Sequence, residues 1–340
     1  MSTNQQFQVG DIQIELEDAP PLSFPSATDC NSPCWWSKGK FYILNSTGHP
    51  TRSAGENVEQ MSRGAEITYT AWRDGGRWIE SVHPESDGTL YGWYHNEPRH
   101  YVLIPEAIQT GREVRLTAPF IGAVASYDNG ETWDDLGLVL TGSPDSLNLQ
   151  TPNLWFAGGN GDFSVILDRK EEYFYFLLGT YYKDVSQQGI SVARMRYEDR
   201  SSPVGKVQKW YRNGWQEPGL NGRVAPTIPV NADWYCPNPD TFWGPSVHWN
   251  AHIQSYVILM NRAIDPRWKQ EGIYLCFSPD LADPTSWTEP LCILKEKGWY
   301  PQVVGDPASG GTDRAAGEMS RLFIHGESRY TIRFARLGEG

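Results

Sequence analysis

The sequence predicts an all-β fold, a five-bladed β-propeller formed by residues 1–340 as a single domain, and three observations lead there. First, the 340 residues include 15 Trp, 17 Tyr, 33 Gly and 24 Pro, a composition of aromatic strands and turns, with no long amphipathic helical run. Second, Ser126-Tyr-Asp-Asn-Gly-Glu-Thr-Trp133 fits the pattern S-x-D-x-G-x-T-W. Asp128 can bond nearby backbone amides, Gly130 permits positive φ in a tight hairpin, and Thr132 and Trp133 suit the strand that resumes. Third, one pattern recurs five times: an aromatic strand pair, a link, an apolar strand, then a turn with Gly or Asp and a Trp.

Unit one runs from Ser32-Pro-Cys-Trp-Trp36 through Phe41-Tyr-Ile-Leu44. It continues with Glu66-Ile-Thr-Tyr-Thr-Ala-Trp72 and turns at Asp74-Gly-Gly-Arg-Trp78. Unit two runs from Thr89 to Tyr94 and from Ile121 to Ala125, ending in the hairpin stretch. Unit three holds Phe163–Leu167, Tyr173–Leu178 and Gly189–Ala193, turning near Asn213-Gly-Trp215. Unit four holds Ser246–Trp249, Tyr256–Met260 and Gly272–Phe277, then Ser278-Pro-Asp280 with Trp287. Unit five offers only Tyr300–Val304, Arg321–Ile324 and Tyr330–Phe334. The alternating segment Gln8–Glu15 is expected to supply its fourth strand, closing the ring with both ends of the sequence and burying the edges an open array would expose. A β-sandwich with long insertions is the alternative, and five similar units argue against it.

Net charge is −12 and no Lys/Arg cluster is visible, so nucleic acid is not an expected partner. The five cysteines, Cys30, Cys34, Cys236, Cys276 and Cys292, are odd in number and form no paired framework; free thiols are expected. The N-terminus shows neither a basic n-region nor an apolar h-region, and no window is long and apolar enough to span a bilayer. A soluble protein is expected, cytoplasmic, or secreted or periplasmic if a signal peptide has been removed.

Propeller geometry selects candidate site residues. The first strand of each blade lies beside the axis. The link entering it and the link between the second and third strands share one face, where polar residues of several blades converge. Links of the first kind offer Asp29 and Asn31, His83 and Glu85, Asp162, Asp240, and Tyr300 with Gln302. Links of the second kind offer His49 and Arg52, His95 with Glu97 and Arg99, Tyr181 and Tyr182, Asn261 and Arg262, and His325. Arginines at such places would clamp a carboxylate or sugar hydroxyls. Each carboxylate could equally be a turn residue, each arginine a surface ion pair, and Trp243 a core ring in place of a sugar platform. No cofactor is expected; an axial metal held by His325 or His248 with water is compatible with the sequence, and no ligand cluster requires it.

These residues resemble five-bladed glycoside hydrolases of the family 43 type. Asp29-x-Asn-Ser-Pro33 followed by Gly39-Lys-Phe-Tyr-Ile-Leu-Asn-Ser46 is similar to that group's opening blade, which implies Asp29 as general base. Gly161-Asp162 before the aromatic strand at Tyr173 is similar to its third-blade motif, which implies Asp162 as the residue that tunes the acid's pKa. The fourth blade departs from the pattern: Trp243-Gly-Pro245 stands where a Glu is expected, leaving Glu97 or Asp240 as the acid. The hairpin stretch resembles the Asp-box of sialidases, whose several boxes and six blades fit this chain less well.

The expected function is hydrolysis of an oligo- or polysaccharide by carboxylates gathered at the axis. Two alternatives remain open at this level. One is a non-catalytic carbohydrate-binding propeller, motivated by the missing Glu. The other is a uronate-directed lyase or sialidase-like enzyme, with Arg52, Arg99 or Arg262 holding the carboxylate.

Overall fold

The computed structural model describes residues 5–98, 102–105, 113–148, 151, 155–295 and 298–338. Among them five sheets stand as blades around one axis. Blade one is built from Cys34–Ser37, Lys40–Ser46, Pro50–Gly55 and Met61–Glu66. Blade two holds Gly76–Pro84, Leu90–Glu97, Phe120–Ser126 and Thr132–Leu140. Blade three holds Asn160–Leu167, Tyr173–Thr180 and Gly189–Arg196, with the hairpin Gln208–Tyr211 and Gly214–Pro218 outside them. Blade four holds Thr241–Asn250, Ser255–Ala263, Gln270–Ser278 and Leu291–Leu294. Blade five holds Pro301–Gly305, Met319–Ile324 and Glu327–Arg336.

The expected closure is present: Ile12–Ser23 pairs antiparallel with Glu327–Arg336. It is a hairpin, though, where a single strand over Gln8–Glu15 is predicted. Gly10 takes φ +59° and turns the chain, so Gln5–Val9 folds back on Ile12–Ser23.

Blade one also differs from expectation. Its third and fourth strands are Pro50–Gly55 and Met61–Glu66. Thr68–Tyr69 crosses over to pair in parallel with Thr132–Leu140, at the edge of blade two. The predicted turn Asp74–Trp78 leads into the inner strand of blade two.

Apolar layers fill the gaps between successive blades. Trp35, Leu44, Ile79 and Trp133 fill the first, between blades one and two. Phe163, Phe174 and Phe176 pack with Trp93 and Ile121 in the next. Ile258, Met260 and Cys276 pack with Tyr175 and Leu177, then Leu259, Leu275 and Phe334 fill the gap beyond. Phe24, Phe323, Phe41 and Ile43 complete the circle. Large buried rings suit wedge-shaped spaces between twisted sheets.

The inner strands of successive blades form no ladders with one another among the described residues, and side chains tie them. Ser81 Oγ accepts the Val165 N–H at 2.8 Å, and Ser164 Oγ accepts the Val247 N–H at 3.2 Å. Ser246 Oγ donates to the Pro301 carbonyl at 2.6 Å. Gln302 clamps the backbone of Ser32, accepting its N–H at 2.7 Å and donating to its carbonyl at 2.9 Å. Glu80 accepts the Asn31 N–H, closing the ring between blades one and two. These bonds satisfy backbone groups that burial would otherwise leave unpaired.

The Ser126–Trp133 hairpin folds as its residues imply. Asp128 Oδ1 accepts the N–H groups of Glu131 at 3.1 Å and Thr132 at 2.9 Å, and Oδ2 accepts the Thr132 hydroxyl at 2.6 Å. Gly130 takes φ +88°, and the Trp133 indole closes back on its carbonyl at 3.1 Å. All five cysteines are unpaired. Among the described residues, no helix is long and apolar enough to cross a membrane.

Candidate functional site

Four acidic side chains and three from His and Tyr meet at the axial end of blades one, two, three and five. Asp29 lies in the link entering blade one, its N–H bonded to the Ser46 carbonyl at 2.6 Å. The Tyr300 hydroxyl donates to its carboxylate. Burial raises the Asp29 pKa; the nearby His95 and His325 pull against that, and the charge of Glu97 adds to it.

Glu80 and His95 come from adjacent strands of blade two. Glu80 sits on the inner strand at 1% exposure, its Oε1 against His95 Nδ1. Its Oε2 accepts the Phe163 N–H at 3.1 Å. His95 Nε2 faces Glu97 Oε1 at 3.7 Å, and its ring stacks on Trp78 at 4.5 Å. Burial opposes a charge on His95, but the carboxylates of Glu80 and Glu97 outweigh it and hold the imidazole pKa well above its ordinary value. Glu97, at the strand end, is the open member of this chain, with 31% of its side chain exposed.

Asp162 comes from blade three. A β-bulge between Gly161 and Phe163 turns it toward the axis at φ +42°, a conformation that Asp tolerates better than most residues. Its Oδ2 accepts the Tyr181 hydroxyl at 2.8 Å. Burial, then the charge of Glu80, pushes its pKa up to about 7. Tyr181 and Tyr300 are in turn held by an aromatic layer that includes Trp234, Trp243 and Trp268.

Of the residues singled out from sequence, Asp29, His95, Glu97, Asp162, Tyr181 and Tyr300 converge here, and His325 lies near enough for its charge to act on Asp29. The others are placed elsewhere or otherwise occupied. Asn31 reaches the axis, but its amide donates to the carbonyls of Phe163 at 2.9 Å and Pro245 at 2.8 Å, tying three blades together. Gln302 is spent on the Ser32 backbone. Asp240 and Arg262 grip one another through two 2.6 Å bonds, and that contact holds the Asp240 carboxyl below its ordinary value. Trp243 is fully buried, packed edge-on against Trp268 at 4.3 Å and Tyr300 at 5.4 Å, so it is a core ring and no sugar platform.

Arg52 donates to the Asn129 carbonyl at 2.7 Å and pairs with Glu131, holding blade one to the hairpin of blade two. His49 bonds the Ile67 carbonyl at 2.8 Å beside Tyr69. His83 and Glu85 fall at the far end of the inner strand, where Arg200 pairs with Glu85. His248 is buried against Phe334. Arg99 lies outside the described residues.

Sequence reasoning missed Glu80. The available signal was an acidic residue inside the apolar run Trp78-Ile-Glu-Ser-Val82, which only a partnered or functional carboxylate occupies.

Glu80, His95 and Asp162 each offer a ligand atom within 4.8 Å of the others. As they stand, His95 Nδ1 meets Glu80 Oε1, Glu80 Oε2 accepts the Phe163 N–H, and Asp162 Oδ2 accepts from Tyr181.

No family model and no curated protein matches the sequence. Solved structures do share the fold. The endo-arabinase of Bacteroides thetaiotaomicron superposes with a TM-score of 0.52 at 11% identity, over 94% of this chain and 98% of that one. A mutant of the α-L-arabinanase of Cellvibrio cellulosa superposes with a TM-score of 0.54 at 9% identity, over 90% and 92%. The likeness is one of fold.

Proposed function

We propose that the protein is a glycoside hydrolase whose reacting carboxyl groups are Asp29 and Glu97. The observation that carries this is their joint placement. Two acidic groups from different blades feel one another's charge at the axial end of the propeller, in contrasting surroundings. Glycoside hydrolysis needs such a contrast, one carboxyl protonated to deliver a proton to the leaving oxygen and one ionised to activate water or attack the anomeric carbon.

Burial and the charge of Glu97 favour a proton on Asp29, while His95 offers Glu97 an ion-pair partner. On this reading Asp29 is the acid and Glu97 the base, the reverse of the role that the family resemblance implies for Asp29. Asp162 sits behind them, with Tyr181 fixing its orientation, as a tuning group. The arabinan-directed neighbours put arabinan first among candidate substrates.

The test is product release from arabinan, galactan and a panel of nitrophenyl glycosides, for the wild type, Asp29→Asn and Glu97→Gln. Release from the two polysaccharides is expected from the wild type only. If Asp29 is the acid, its variant keeps more activity on dinitrophenyl than on alkyl glycosides, because a good leaving group needs little proton donation. Sugar bound without turnover by the wild type would favour a binding propeller instead.

A further inference from the structure

The loop between Thr68–Tyr69 and Gly76–Pro84 enters the inner strand of blade two, so it stands on the face that carries Asp29 and Glu97. Trp72 projects from it with 86% of its surface exposed, more than any other large apolar residue described. A lone exposed ring on a loose loop would mean little, but this loop is fixed at several points. The Thr70 N–H bonds the Trp133 carbonyl at 3.0 Å, and Arg77 donates to the Ala71 carbonyl at 3.0 Å. Asn96 donates to the carbonyls of Asp74 and Gly76, both at 2.9 Å. Gly75 takes φ +85° so close to the neighbouring strand that a methyl group there would sit 1.8 Å from the Glu97 carbonyl oxygen. The indole is thus held out to solvent by a rigid mount, which lowers the ordering cost of binding.

Beside Trp72 opens a cavity of about 570 Å³, whose lining includes His49, Thr68, Tyr69, Arg73 and Arg77. That volume is in the range of small-molecule sites. Trp78 connects it to the axis: the indole edge approaches Gly48 of the cavity wall, and the ring stacks on His95. The cavity and the His95–Glu97 pair are therefore neighbours across one indole.

We infer that Trp72 and this cavity form an outer carbohydrate subsite, which holds a sugar residue of a chain whose scissile bond lies at Asp29 and Glu97. An aromatic face covers the C–H face of a sugar ring, and polar side chains around it meet the hydroxyl groups. The substrate is then a chain long enough to cross Trp78. The position of the scissile bond rests on the hydrolase reading; the binding of sugar at Trp72 does not.

The experiment is native electrophoresis through gels containing debranched arabinan, pectic galactan or soluble arabinoxylan, run beside hydrolysis assays. Wild type and Asp29→Asn are expected to be retarded alike in at least one gel. Trp72→Ala, whose removed ring is 86% exposed, is expected to unfold at the wild-type temperature and to lose about tenfold in affinity there. Tyr127→Ala, which removes another exposed ring on the hairpin of blade two, binds as the wild type does. Equal retardation of Trp72→Ala and wild type overturns the subsite, as does retardation of no variant in any of the three gels. Hydrolysis of the polysaccharide that survives undiminished in Asp29→Asn, with binding lost in Trp72→Ala, leaves the subsite standing and removes the catalytic reading.

Discussion

Glu80 holds His95 through Nδ1 in a place closed to water, and the other nitrogen of the same ring faces Glu97. A buried carboxylate thereby reaches an open one through a single imidazole. The pair is costly to break, because removing one partner strands the other's charge in a low dielectric.

Glu80→Gln is therefore expected to lower stability by about 3–5 kcal/mol, the usual cost of leaving half of a buried ion pair. Urea denaturation measures this. The imidazole signal of His95, followed by NMR, should also titrate at lower pH in the variant than in the wild type. An unchanged titration would show that Glu80 does not set the charge of His95.

Asp162 makes a prediction about pH. Its folded pKa of about 7 stands above the 3.8 ordinary for an aspartate, so the fold prefers the protonated acid. The stability this contributes is full below the unfolded pKa and is lost as pH rises through the folded one. Asp162→Asn mimics the protonated form and can still accept from Tyr181. Relative to the wild type, the variant should gain stability between pH 4 and pH 7, on the order of the window set by the two pKa values. Parallel stability curves would sink the argument.

Asp240→Asn separates the two acids left open by the sequence. With Asp240 committed to Arg262, its removal should change kcat/KM by no more than about twofold. Loss of Asp29 or Glu97 should cost roughly a hundredfold or more, the range for a general acid or base. A Asp240 variant as impaired as these would return it to the chemistry.

Trp243→Ala tests whether the ring is core or platform. A fully buried Trp among Trp268, Trp299 and Tyr300 should cost about 3–5 kcal/mol when truncated. Calorimetry would show a large fall in Tm. A stable variant that merely binds sugar less tightly would contradict its place in the aromatic layer.

The fold was legible because blades repeat, and a repeat survives local errors. The error in blade one is instructive. Asp74-Gly-Gly-Arg-Trp78 has the composition of an outer turn, yet tertiary packing makes it the entrance to an inner strand. A boundary set after Trp78 leaves Ile79-Glu80-Ser81-Val82 outside any strand, and Glu80 goes unseen. Asp29, His95, Glu97 and Asp162 were legible because link position alone selects them. Link position cannot say which way a side chain turns or what it meets there. Asn31, Gln302, Arg262 and Trp243 share the same kinds of place, and their partners, contributed by distant blades, decide their roles.

The pairing of Ile12–Ser23 with Glu327–Arg336 joins segments from opposite ends of the sequence. During synthesis, the strand made early must wait for the one made late, through the birth of four intervening blades. Local hairpins can form as they emerge, but completion of the circle is deferred until Glu327–Arg336 has been made and is the slow, non-local step. A ribosome stalled before Glu327 would release a molecule with two unmated strand edges, one on Ile12–Ser23 and one on Met319–Ile324, each able to recruit another chain.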